Sequence, residues 1–327
     1  MRGARRRTAV DPETLPALDR SPQNGIRCVR NAGELPAAAT GLIHTQERDF
    51  RHARPVEDAV FRAYAPLYAY DKTPLEARVE GEPRDAPDWQ EHTISITAAY
   101  GRERLPIHLF LPKRVHPPFQ TVVFFPSARV VMSPDSQKLG DLPFVDYVIL
   151  SGRAVLYPIY QGTYERQLRF ELPGASQTTE LLTDRFKDLG RSLDYLATRS
   201  DIDHDRLAYL GVSMGAAEGV IYATLVQDRL KAVILLDGGF FLTRPPAGTD
   251  QLDFAPRLKK PVLMVNGRYD FTFSLEHAQR PLMEWIGAPA GDKRHVVFDS
   301  PHDVSMRRAE LVPEVLGWLD KYLGRVE

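Results

Sequence analysis

From residue 91 onward the chain alternates short, unbroken apolar runs with stretches whose apolar residues recur three and four apart. HTISITAAY and PIHLFLP, on either side of a turn containing Gly101, predict an antiparallel hairpin. QTVVFFP, GRAVLYPIY, RLAYLGVS, KAVILLDGG, PVLMVNGRYD and RHVVFDS follow as buried strands rich in β-branched and aromatic residues. Helical spacing lies between them. One stretch runs through Phe144, Tyr147 and Val148. In a second, Leu182, Phe186, Leu189, Leu193 and Leu196 mark an amphipathic helix over 178–198. MGAAEGVIYATLVQ is a third, and Val312, Val315, Leu316, Leu319 and Leu323 make a closing helix. Strands apolar on both faces and alternating with helices predict an α/β fold. Its sheet is mostly parallel and flanked by helices, and ligands bind at the carboxyl ends of the strands.

The first 90 residues read differently. Residues 1–45 hold no sustained period; Pro12, Pro16, Pro22 and Pro36 punctuate them, and a loosely ordered segment is expected. Val56, Val60, Tyr64 and Leu67 predict one amphipathic helix ending at Pro66 or just past it, and the Pro- and Glu-rich stretch 73–90 predicts a linker. The expected organisation is therefore a loose segment (1–45), a helical extension with its linker (46–90) and one α/β domain (91–327).

Charge narrows the partners. Forty-two Lys and Arg against 43 Asp and Glu leave a net charge of -1 across 327 residues. A nucleic acid or an anionic membrane would favour a strongly basic face, so neither is expected as a partner. The one cysteine, Cys28, has no partner for an intrachain disulfide. The initial arginines precede no apolar h-region, so a cytoplasmic location is expected. Glycine motifs that cradle nucleotide phosphates do not occur. Asp201-Ile202-Asp203-His204-Asp205 looks metal-like but is too crowded for one ion, and is read as capping the turn before a strand. No cofactor and no metal are expected, and oligomeric state is left open.

The chemical signal is Gly211-Val212-Ser213-Met214-Gly215, between a predicted strand and a predicted helix. A serine there sits on a tight strand-to-helix turn, with the helix N-terminus aimed at developing negative charge. A serine needs a base, and the base needs an orienting acid. Of the histidines beyond Ser213, His277 falls in a helix and His295 opens a strand. His302 lies in a loop past a strand's carboxyl end and is the candidate base. For the acid, Asp270 ends the fifth of the six strands and is preferred. Asp237, which ends the fourth, is its rival. The oxyanion hole is assigned to the Met214 N–H and to one from Pro126-Ser127-Ala128-Arg129, with Ala128 before Ser127 because Pro126 has no N–H.

The pieces TVVFFPSA, GRAVLYPIYQGT, RLAYLGVSMGAA, PVLMVNGRYD and VVFDSPHDV, in that order, resemble the α/β-hydrolase superfamily. The resemblance is to dienelactone hydrolases, acetyl xylan esterases and prolyl-oligopeptidase-like domains. GRAVLYPIYQGTYERQ and KPVLMVNGRYDFTFSLEHAQRPL are more narrowly similar to hydrolase domains at the C-terminus of bacterial multidomain kinases. The resemblance implies a bacterial serine hydrolase with family roles on Ser213, Asp270 and His302, acting on a small-molecule carboxylic ester through an acyl-enzyme. A prolyl-oligopeptidase-like peptidase and a non-catalytic binding domain are the alternatives. FPSA stands where many relatives carry a glycine after the proline, which bears on the second oxyanion donor. Upstream, Asp19 to Arg30 is similar to the end of formylglycine-generating-enzyme-like domains, which implies descent from a larger chain.

Substrate contacts are expected from two irregular loops, Gln161–Gln177 and Gly239–Lys260. Tyr160, Tyr164 and Phe240 are the expected walls of an open, shallow site for short acyl groups. Arg166, Arg169 and Arg244 are read as solvated, with a carboxylate anchor as the weaker possibility.

Overall fold

The computed structural model describes residues 48–168 and 174–326. The expectations for residues 1–45, and for Arg169 among the loop arginines, lie outside them. Among the described residues ten strands form one sheet. They are β1 (Arg78–Val79), β2 (Arg84–Asp85), β3 (Trp89–Thr97), β4 (Arg104–Pro112), β5 (Phe119–Phe125), β6 (Ala154–Pro158), β7 (Ile202–Val212), β8 (Ala232–Leu236), β9 (Val262–Gly267) and β10 (Lys293–Phe298). The order across the sheet is β1-β3-β4-β6-β5-β7-β8-β9-β10, with β2 also pairing β3. β3 and β4 form the expected hairpin, Ile94 opposite Ile107, and β4 meets β6 antiparallel. From β6 to β10 every pairing is parallel.

β5, β6, β8 and β9 are buried along their length and β7 from Leu207 onward, so alternate side chains feed two cores rather than one. Val123, Phe125, Tyr209, Leu235 and Met264 face one side. Val122, Phe124, Leu210, Ile234 and Val265 face the other. Helices α3 (Ala175–Leu196) and α4 (Met214–Leu225) cover the first face; α2 (Asp146–Leu150) and α5 (Arg308–Leu323) cover the second. The predicted leucine stripe of α3 is the buried one: Leu189, Leu193 and Leu196 are 0–1% exposed. Each such side chain gains roughly 1.5–3 kcal/mol on burial.

Two upstream expectations change. Helix α1 (Asp58–Tyr68) carries Pro66 inside it, and its packed face is only in part the predicted one, with Tyr64 half-buried. Val60 and Leu67 are exposed. The inward residues are Phe61 and Tyr68, whose rings meet Phe254 edge-on at 5.1 and 5.8 Å, and Tyr68 also meets Phe186 at 5.2 Å. Aromatic contacts decide the face, and aliphatic spacing alone could not show them. Residues 73–90 are tied to the domain: β1 and β2 pair on β3, and the buried Arg191 donates to the carbonyls of Thr73, Pro74 and Thr97. The order of strands matters most at β5. From β5 the chain moves one way to β6 and then returns across it to β7. The carboxyl ends of β5 and β7 therefore border a topological switch point, where an open sheet leaves a crevice.

Candidate active site

β7 delivers Ser213 to that crevice. The residue has φ 51° and ψ -104°, a left-handed conformation that costs a non-glycine residue of order 1–3 kcal/mol. The surroundings enforce it. The Ser213 N–H donates to the Leu236 carbonyl on β8 at 2.8 Å, and the Gly215 N–H donates to the Pro126 carbonyl at 3.2 Å. The two motif glycines are needed for clearance. A Cβ on Gly211 would lie 2.1 Å from the Gly215 oxygen, and one on Gly215 would lie 2.3 Å from the Phe125 oxygen. The turn thus lifts the hydroxyl to the rim while α4 starts against the sheet.

The hydroxyl meets a histidine there. Ser213 Oγ lies 2.8 Å from His302 Nε2, and His302 Nδ1 lies 2.8 Å from Asp270 Oδ2. Asp270 is 2% exposed, and its Oδ1 accepts from the Thr272 and Phe273 N–H groups at 2.8 and 2.9 Å. That leaves Oδ2 aimed at the ring. Burial works against a charged imidazole. The hydrogen bond and charge of Asp270, with the charge of Asp237 behind them, outweigh it and hold His302 above its ordinary value. His277 is exposed on a helical turn, and His295 binds Asn266 Oδ1 at 3.1 Å within the sheet.

Asp237, the rival acid, stands beside this pair rather than in it. It directly follows β8 at φ 53°, is 1% exposed, and its Oδ2 accepts from the Val304 N–H at 2.9 Å. Its Oδ1 is buried with no partner among the described residues. Burial pushes its carboxyl up to about 7. Asp237, Asp270 and His302 offer ligand-type atoms within 4.8 Å of one another. Both nitrogens of His302 are already hydrogen-bonded, however, so this trio could hold an ion only by breaking the chain to Ser213.

Around the hydroxyl, the Met214 N–H opens α4 with no partner among the described residues. On the facing loop the Ser127 N–H is consumed by Asp141 Oδ2 at 2.6 Å, whereas the exposed Ala128 N–H is unpartnered among the described residues. Asp141 carries no motif that would have pointed to this role. Arg129 Nη2 reaches Asp303 Oδ2 at 2.7 Å and so joins this loop to the His302 loop.

The three expected substrate walls are core residues instead. Tyr160 is 0% exposed, stacks on Phe125 at 3.8 Å and donates to the Phe124 carbonyl. Tyr164 is equally buried, its hydroxyl 2.8 Å from that of Tyr157. Phe240 stacks on Phe50 at 4.2 Å, under the segment that precedes α1. Arg166 is neither solvated nor an anchor; it is buried against Asp188 at 2.6 Å, while Arg244 is exposed. The aromatic path that does reach the site was missed. Exposed Phe241 meets Phe273 at 5.7 Å, and Phe273 meets the His302 ring at 5.9 Å. The Asp201–Asp205 segment makes local bonds, Asp201 to Arg199 and Asp203 to the Asp205 N–H.

A parallel sheet of this order, with a serine on a strained turn at the switch point, defines the α/β-hydrolase fold, and the chain has it. An acetyl xylan esterase from Paenibacillus sp. R4 superposes with TM-score 0.63 at 16% identity, over 84% of this chain and 98% of that one. Acetyl xylan esterase 1 from Thermoanaerobacterium sp. JW/SL YS485 gives 0.58 at 15%, over 80% and 95%. A cold-adapted esterase from an Arctic intertidal metagenomic library gives 0.57 at 16%, over 76% and 100%. No family model matches the sequence, and no curated protein does. No helix among the described residues is long and apolar enough to cross a membrane.

Proposed function

We propose that the protein is a serine esterase that hydrolyses small carboxylic esters without a cofactor. The carrying observation is the hydrogen-bonded chain from Ser213 through His302 to Asp270 at the crevice of the sheet. That several structural neighbours are esterases supports the reading. In this mechanism Ser213 Oγ attacks the acyl carbon as His302 Nε2 takes its proton. Asp270 holds the Nδ1–H tautomer and balances the imidazolium. The Met214 and Ala128 N–H groups receive the oxyanion. His302 then protonates the departing alcohol, and water repeats the sequence on the acyl-enzyme. Ser213 is half-buried and reachable, which suits short acyl groups.

A fluorophosphonate probe should label the parent protein and not Ser213→Ala. The same variant should lose on the order of 10⁴–10⁶ in ester turnover with its fold intact. A Ser213→Ala variant that kept a tenth of the parental rate would sink the assignment. A panel of esters of increasing acyl length should show specificity falling beyond about six carbons, since extra methylenes find little wall to bury against. A tenfold preference for long chains would refute the short-acyl reading.

A further inference from the structure

Two carboxyl groups, not one, converge on His302. They come from adjacent strand ends: Leu236 of β8 pairs with Val265 of β9, and the Asp237 N–H donates to the Val265 carbonyl at 2.9 Å. The His302 loop crosses both. Asp270 takes the ring nitrogen, and Asp237 takes the Val304 N–H two residues on. Asp237 is held in a left-handed backbone conformation like that of Ser213, so its position is imposed rather than incidental. Its second oxygen is buried and unpartnered among the described residues, which is costly for an ionised carboxyl unless a cation comes close. The group beside it that acquires positive charge during the proposed reaction is the imidazole.

We propose that Asp237 is a second acid for His302, a positioning residue that shares the imidazole with Asp270 and carries it when Asp270 is removed. This rests on the esterase reading for its catalytic meaning, but not for its electrostatics. The charged groups facing Asp237 are His302, Asp270 and Asp303, with Arg129 bound to Asp303 on the outer side. Burial raises the Asp237 carboxyl to about 7, so it is part-ionised in the range where His302 titrates; the negative charge of Asp270 adds to the rise, while His302 and the Val304 N–H oppose it. Replacing Asp270 by Asn removes that like charge. Asp237 then ionises more readily, at the moment when the imidazole has lost its first partner.

The test is the titration of the His302 ring, followed by NMR in the parent, Asp237→Asn, Asp270→Asn and the double variant. Asp237→Asn should lower the His302 midpoint by about half a pH unit or more. Asp270→Asn should lower it too, yet leave it above the double variant. An unmoved midpoint in Asp237→Asn, with the double variant equal to Asp270→Asn, overturns the proposal. This readout stands whether or not an ester is turned over, so it separates this inference from the esterase reading, which Ser213→Ala tests. Turnover gives a second readout. Asp270→Asn should retain more than about a hundredth of the parental kcat, and the double variant should fall by about 10⁴, the loss expected of a triad with no acid. A full 10⁴ loss in Asp270→Asn alone overturns the proposal, and that result needs no Asp237 variant to fold.

Discussion

Ser213 and Asp237 directly follow neighbouring strands at nearly the same positive φ, 51° and 53°, and in each the strained residue carries the polar side chain that matters. For Asp237 the cost is electrostatic as well. In the unfolded chain it ionises near 3.8; in the fold it does so near 7. Between those values the unfolded chain gives up a proton that the fold keeps, so this residue lowers stability as pH rises from about 4 to 7. Asp237→Asn keeps an acceptor for the Val304 N–H and removes that penalty. It should melt about 3 °C or more above the parent at pH 8, with the gap closing by pH 4. Equal gaps at both pH values would contradict the burial account. Phe240 and Phe241 are adjacent in sequence but have opposite roles. Phe240→Ala should cost about 3–5 kcal/mol, because its ring is enclosed on Phe50. Phe241 stands at the edge of a cavity of about 340 Å³ with Leu181, Leu182 and Ile221. Phe241→Ala should change melting little and raise KM for short acyl esters more than it lowers kcat. Denaturant titration and acyl-length kinetics on the two variants distinguish these roles.

At the scale of elements, the strand-turn-helix around Ser213 has no spare volume. Gly211→Ala sets a methyl against the Gly215 carbonyl, and Gly215→Ala sets one against the Phe125 carbonyl. Both contacts are with backbone, which cannot swing aside. Either change should therefore destabilise by more than about 3 kcal/mol, read as a lowered urea midpoint. The six parallel strands, the hairpin and the long helices were legible in the sequence because their signal is local: unbroken apolar runs and three-four spacing belong to single segments. The serine turn was legible for the same reason, since glycine at both flanks records a steric demand. The contents of the loops were not. Whether Tyr160 walls a site or fills a core depends on Phe125, thirty-five residues earlier on another strand. Phe240 is covered by Phe50 and α1 packs on Phe254, contacts across roughly two hundred residues that no period encodes. The choice between Asp270 and Asp237 was open for a better reason: both reach the histidine loop.

Across the whole molecule, the segment before the hairpin acts as a third layer over one edge of the first core. Phe50 covers Phe240, and Tyr68 sits between Phe186 and Phe254 with its hydroxyl on the Gly248 carbonyl at 2.8 Å. Tyr68→Ala should cost about 3–5 kcal/mol and loosen the 239–250 loop, seen as faster amide exchange there than in β5 or β7. A second long-range tie has a different consequence. Arg129 and Asp303, 174 residues apart, bridge the loop of the Ala128 N–H and the loop of His302. No covalent bond reinforces that bridge, and the Arg129 side chain is 60% exposed. Its strength is therefore set by the dissolved ions around it. The screening length shrinks from about 8 Å at physiological ionic strength to about 3 Å in molar salt. With an uncharged ester, activity should decline modestly as sodium chloride is raised, and Arg129→Met should flatten that decline, because the two loops beside the hydroxyl are joined by a clasp that brine can loosen.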